Sequence, residues 1–166
     1  MSTREHDTEL EISVVDVHDD AALAEWYDVS AEALREGLGD LASVWSLAEL
    51  SVMLREPSRT QRFHTYLGRV GGRAVVAGGV VLPQMENLDT ATVTSEVRPD
   101  HRRRGHGSAM LAFCEARVRE HGRTVVEHFI DWPESHGPHG EGWPGREFAL
   151  AHGYRLNLGD VQRVLT

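Results

Sequence analysis

Val97-Arg98-Pro99-Asp100-His101-Arg102-Arg103-Arg104-Gly105-His106-Gly107-Ser108 is the stretch on which the reading of this chain turns. The residues leading into it, Leu88 to Val97, are dense in threonine and valine and are closed by Pro99, a pattern that predicts a strand. The residues leading out, Ser108 to His121, place Met110, Leu111, Cys114 and Val118 on one face and stop at Gly122, which predicts a helix packed on a sheet. Two glycines at a strand-to-helix junction let the backbone approach an anion closely, and the amides of the helix start point at it. A phosphate is therefore expected at Arg102 to Ser108. The three arginines add charge-assisted bonds of about 1.5–3 kcal/mol each, against about 0.3–1 kcal/mol for an exposed charge at a helix terminus. Backbone geometry then sets position, and arginine charge supplies much of the affinity.

Two common phosphate motifs do not fit. A nucleotide P-loop needs Gly-Lys-Ser or Gly-Lys-Thr, whereas Gly105 is followed by His106. A dinucleotide fingerprint needs a third glycine where Met110 stands. What remains is Arg-x-x-Gly-x-Gly, carried by Arg102, Gly105 and Gly107.

Upstream, Glu11 to Val17 alternates as a first strand, and Asp19 or Asp20 offers a helix N-cap. Leu23, Trp26, Tyr27, Ala31, Leu34 and Leu38 recur at helical spacing until Gly37 and Gly39 stop the run. Ser46-Leu47-Ala48-Glu49 reads as a capping box that opens a second helix through Leu50, Met53 and Leu54, with Pro57 ending it. Arg62 to Val70 and Arg73 to Leu82 are strands joined by Gly71-Gly72, a two-residue hairpin signal. Downstream, Thr124 to Ile130 is a further strand. Asp131 to Trp143 is a glycine- and proline-rich loop, bracketed by Trp132 and Trp143 either as anchors or as the lining of a substrate mouth. A short helix starts with Pro144 at its first position and ends at Gly153, and Tyr154 to Thr166 reads as a final hairpin.

At 166 residues the chain suits one domain, 1–166. A formal net charge of −9 argues against a nucleic-acid surface and suits a cationic or amine-bearing substrate. No apolar run is long enough to cross a bilayer, so no membrane partner is expected. The polar start, Met1 to Asp7, lacks the apolar segment of a secretory signal, and the lone Cys114 has no disulfide partner within the chain; both fit a cytoplasmic location. Cys114 itself reads as core. His136 and His139 lack a third ligand, so no metal is expected.

With Pro99 three residues ahead of Arg102 and Gly153-Tyr154 near the end, the chain resembles the GNAT superfamily of acyl-CoA N-acyltransferases, whose pyrophosphate loop reads Gln/Arg-x-x-Gly-x-Gly/Ala. In detail it resembles the N-terminal halves of actinobacterial tandem-GNAT proteins. The resemblance implies an α/β (α+β) fold: a mixed, mostly antiparallel central sheet flanked by about four helices. It implies acetyl-CoA as co-substrate, with Arg102, Arg103, Arg104, Gly105, His106, Gly107 and Ser108 around the pyrophosphate. The pantetheine arm would lie between Leu88 to Val97 and Thr124 to Ile130 and bond to backbone near Val97. A primary amine, small-molecule or peptide, would attack the thioester directly. A homodimer is an allowed assembly.

The chain departs from the family at two points. The tyrosine that often serves as acid is replaced by Ala149. The base often lies on the inward face of the third meander strand, and alternation there presents Ala91, Val93, Ser95 and Val97, none of them a base. Glu96 is the leading candidate for the base but has the wrong parity unless a bulge re-aims it; Glu127, His128 and Asp131 are the others. A non-catalytic acyl-CoA-binding or regulatory domain, half of a tandem protein, is the competing expectation.

Overall fold

A computed structural model describes residues 9–159 of the chain. The Gly71-Gly72 pair makes the predicted turn, both residues at positive φ (56° and 80°), and joins β2 (Gln61–Val70) to β3 (Arg73–Pro83). Around this hairpin the sheet runs in the order β1-β2-β3-β4-β5, with β1 at Glu11–Val14, β4 at Thr90–Val97 and β5 at Val125–Glu127. Its first four strands are antiparallel, and β5 lies parallel to β4 because the chain returns through a helix, α3 (His106–Glu120). With α1 (Asp20–Arg35), α2 (Leu47–Arg55) and α4 (Pro144–Ala151), this gives a five-stranded mixed sheet and four α-helices among the described residues.

The helix starts follow their caps. Asp19 accepts hydrogen bonds from the amides of Ala21 and Ala22 at α1. Ser46 and Glu49 close the capping box at α2. On one sheet face Leu23, Trp26 and Val29 of α1 pack with Val15, Leu67 and Ala77, and Leu47, Leu50 and Leu54 of α2 lie against that cluster. On the other face Met110, Leu111, Cys114 and Val118 of α3 are buried, the four residues picked out by their spacing. Gly78 makes this close approach possible, since a Cβ there would lie 2.3 Å from Met110 Sδ. The Trp26 indole donates to Gly78 O at 3.0 Å from the opposite side.

Several boundaries differ from expectation. β1 ends at Val14 rather than Val17, and α3 begins at His106 rather than Ser108 because Gly105 already serves as its N-cap. β5 is three residues long, since it pairs with β4 only over Thr90↔Val125 to Thr92↔Glu127. Residues 154–159 contain no strand, and the rest of the expected final hairpin lies outside the described residues.

The chain divides between Phe129 and Ile130 into two compact units. In the second, the glycine-rich loop is organised on its tryptophans: Trp132 Nε1 donates to Gly137 O at 3.0 Å, its ring lies against Gly140, and Trp143 meets His136 edge-on at 5.1 Å. Both tryptophans therefore anchor the loop. Pro144 takes the first position of α4, as expected.

Candidate functional site

β4 leaves the sheet at Val97, where Arg98 N–H still bonds to Val75 O, and a single 3-10 turn at Pro99–His101 redirects the chain. Two residues then take left-handed backbone, Arg103 (φ 62°) and Gly105 (φ 86°). Glycine adopts that conformation without the Cβ penalty, and a Cβ at 105 would meet nothing within 4 Å, so the turn is open on that side. The first bond of α3 runs from Ala109 N–H to Gly105 O at 3.0 Å. The amides of His106 and Gly107 precede it, in the first turn of the helix, where α-helical geometry supplies no acceptor. Ser95 Oγ donates to Gly107 O at 2.9 Å, pinning the helix start to β4.

The arginines divide. Arg103 and Arg104 are exposed, with no hydrogen-bond partner for either guanidinium among the described residues. Arg102 is partly buried and turned inward, donating to Val97 O at 3.2 Å and to Ala33 O at 3.0 Å. Burial, and then the charges of His101 and Arg104, push His106 down from its ordinary range. His101 is bonded to Asp100 Oδ1 at 2.8 Å, and Arg73 to Asp100 Oδ2 at 2.9 Å; these bonds, that from His101 foremost, hold the Asp100 carboxyl low.

β4 pairs with β3 without interruption from Val81↔Thr92 to Val76↔Val97, but with β5 only as far as Thr92↔Glu127. There β5 ends, and the edge of β4 from Val93 to Val97, which leads into the turn, has no β5 partner.

The parity argument against Glu96 does not apply to this sheet. Both faces are covered, so alternation supplies two inward faces rather than one. Ser95 and its cross-strand partner Gly78 face α3, while Glu96 and its partner Ala77 share the face that carries the Trp26 cluster of α1. No bulge is needed, and the β3–β4 register contains none. On this face Glu96 is partly buried, and desolvation raises its carboxyl to about 7, with a hydrogen bond from Ser30 of α1 opposing the rise. A carboxylate tuned to neutrality can accept a proton and release it again near pH 7. Ser30, itself 8% exposed, is absent from the sequence reading; a serine interrupting the apolar stripe of α1 is the signal by which it could have been found.

The remaining candidates are distributed as follows. Glu127 is exposed at the end of β5. His128 is partly buried, and desolvation pushes its imidazole below the ordinary histidine range. Asp131 belongs to the second unit. Ala149 is buried within α4 and accepts from Tyr154 N–H at 3.0 Å. Cys114 is core, its thiol pushed up to about 12 by burial. His136 Nδ1 is engaged with Glu141 O at 2.8 Å, and no group of three metal-ligating side chains occurs among the described residues.

The comparisons fit this geometry. Among solved structures, a tandem GNAT protein from the clavulanic acid biosynthesis pathway superposes with a TM-score of 0.71 at 28% identity over 87% of this chain. The chain spans 43% of that protein's length. An aminoglycoside acetyltransferase from an uncultured soil metagenomic sample, in complex with sisomicin, shares the fold at 15% identity and TM-score 0.65, covering 95% of each chain. The PaiA N-acetyltransferase of Thermoplasma acidophilum, in complex with coenzyme A, shares it at 13% identity and TM-score 0.62, over 90% of this chain and 92% of that one. No curated protein sequence matches this chain. Residues 21–136, well over half the chain and including the turn together with β4 and β5, match the acetyltransferase (GNAT) family. This chain is a member of the GNAT acetyltransferase family.

Proposed function

We propose that the protein transfers an acetyl group from acetyl-CoA to a primary amine by direct attack in a ternary complex, within one domain spanning 1–166. The observation that carries this reading is the left-handed turn at Gly105, which opens the first amides of α3 beside the exposed Arg103 and Arg104. The main chain of Arg102 to Ser108 grips the pyrophosphate, and the two exposed guanidiniums add charge. The pantetheine arm runs along the unpaired edge of β4, with backbone at Val97 as its hydrogen-bonding partner.

The thioester carbonyl then lies along β4 within reach of Glu96. The amine nitrogen attacks the carbonyl carbon, the carbon–sulfur bond breaks, and the coenzyme leaves as its thiolate. Glu96, ionised, takes the proton that the amine must lose, and its position near neutrality lets it work at physiological pH. The thiolate is protonated from water: Ala149 has no proton to give, and a thiol of pKa about 8.5 is already a fair leaving group. The acceptor is a small-molecule or peptide amine, and the net charge of −9 favours a cation over nucleic acid. No helix among the described residues is long and apolar enough to cross a membrane, and we place the reaction in the cytoplasm.

Incubation with acetyl-CoA and a broad amine panel, with thiol release as the readout, tests this reading. Turnover of at least one amine, lost in Glu96→Gln, is the expected result; no turnover of any amine would overturn it. Two observations favour a second reading, a binding or regulatory half of a longer protein: the buried Ala149, and a match that spans 43% of a tandem relative. Coenzyme binding without turnover would select it.

A further inference from the structure

We infer that Arg102 is a positioning residue that caps the C-terminal end of α1, so that the coenzyme turn and the end of that helix order one another; the coenzyme part of this inference rests on the function proposed above. Ala33 lies in the last turn of α1, where carbonyls have no intrahelical donor. The chain leaves α1 through a β-turn, with Glu36 extended (φ −61°, ψ 115°), Gly37 left-handed (φ 79°) and Leu38 N–H bonded to Arg35 O at 3.1 Å, a turn that serves the carbonyl of Arg35 and not that of Ala33. The Arg102 guanidinium supplies the missing donor at 3.0 Å and brings positive charge to the negative end of the helix dipole. Its Nε bond to Val97 O, at 3.2 Å, fixes the same side chain to the end of β4.

Two neighbours strengthen the junction. Arg98 donates through Nε to Ala74 O at 2.9 Å and forms an ion pair with Glu32, one residue before Ala33. Glu96 faces Ser30, one turn earlier. Residues 96, 98 and 102 thus meet successive positions of α1, namely 30, 32 and 33. Beyond them the chain runs into residues 36–46, which carry the exposed Leu41 (67%) and Trp45 (59%). A turn stiffened by a bound diphosphate holds Arg102 in place and through it the end of α1, and a firmly capped α1 presents the turn ready-made. The coupling is reciprocal. Phosphate charge is then met by Arg103 and Arg104, which have no competing partner among the described residues.

Hydrogen exchange and calorimetric titration, with coenzyme A as the probe, test this on the full chain and on Arg102→Ala, Arg102→Lys and the double variant Arg103→Ala/Arg104→Ala. In the parent, coenzyme A should slow exchange at residues 106–109 and also at residues 34–38. Arg102→Ala should bind about tenfold more weakly, with the parent's salt dependence retained and protection confined to 106–109 at saturation. Arg102→Lys, which keeps one donor, should restore part of both effects. The double variant should flatten the salt dependence yet keep the protection at 34–38. The inference is overturned if Arg102→Ala flattens the salt dependence as the double variant does while residues 34–38 remain protected. If the parent binds no coenzyme A, the proposed function fails. The capping role is then decided by the coenzyme-free proteins: faster exchange at residues 34–38 in Arg102→Ala, partly reversed in Arg102→Lys, supports it, and unchanged exchange refutes it.

Discussion

Replacing Glu96 by glutamine removes a single ionisation from a site where burial opposes it, and the consequence for stability can be worked through. The carboxyl has an ordinary value of 4.5 and lies at about 7 in the folded protein. Because the folded value is the higher one, the native state binds more protons than the unfolded state between those two values, and stability falls as pH rises through them. The penalty is small below 4.5 and complete above 7. The difference between the two values, at about 1.4 kcal/mol per pH unit, gives roughly 3 kcal/mol, most of which develops between pH 5 and 8.5. Glutamine keeps an acceptor for the Ser30 hydroxyl and has no charge to desolvate. Urea denaturation of the parent and Glu96→Gln at several pH values isolates the effect, because every other titrating group cancels in the difference. Glu96→Gln should gain on the parent by about 2–3 kcal/mol from pH 5 to 8.5. A difference that stays flat with pH, or that grows toward acid, would refute the placement of this carboxyl.

Three further outcomes follow from particular contacts. Gly105→Ala forces a left-handed backbone on a residue with a Cβ but meets no neighbour, so thermal melting should show a loss of about 1–2 kcal/mol. Calorimetry should show a larger relative loss of coenzyme A affinity. Gly78→Ala drives a methyl group toward Met110 Sδ, with a Cβ 2.3 Å away, and should destabilise by about 1–3 kcal/mol; adding Met110→Ala should recover part of this. Cys114, with its thiol at about 12, should react with a thiol reagent at pH 8 only as fast as the protein unfolds, and rapid labelling of the folded state would contradict its burial.

Much of the fold was legible because local chemistry and global packing agree. Asp19, the Ser46–Glu49 box and Gly71-Gly72 each act through their immediate neighbours, so short patterns named them correctly. The α3 stripe Met110, Leu111, Cys114, Val118 was equally plain, since one helix face met one sheet face. Reading fell short where meaning depends on partners distant in sequence. Glu96 lies on the face opposite Ser95, as alternation places it, but alternation alone cannot reveal that α1 covers that face as well. Arg102 was grouped with Arg103 and Arg104, although its guanidinium reaches a carbonyl 69 residues earlier in the chain. The brevity of β5 likewise reflects where its pairing with β4 stops, at Thr92↔Glu127, which its own sequence does not encode.

The account rests on the turn at Arg102 to Ser108 receiving the coenzyme's diphosphate. Titration of the isotope-labelled protein with coenzyme A, followed through backbone amide resonances, tests this most directly. The amides of Gly105, His106, Gly107 and Ser108 should shift together, saturate, and move further than those of β1 at the far edge of the sheet. Saturable binding that left these four resonances in place, or no binding at all, would contradict it.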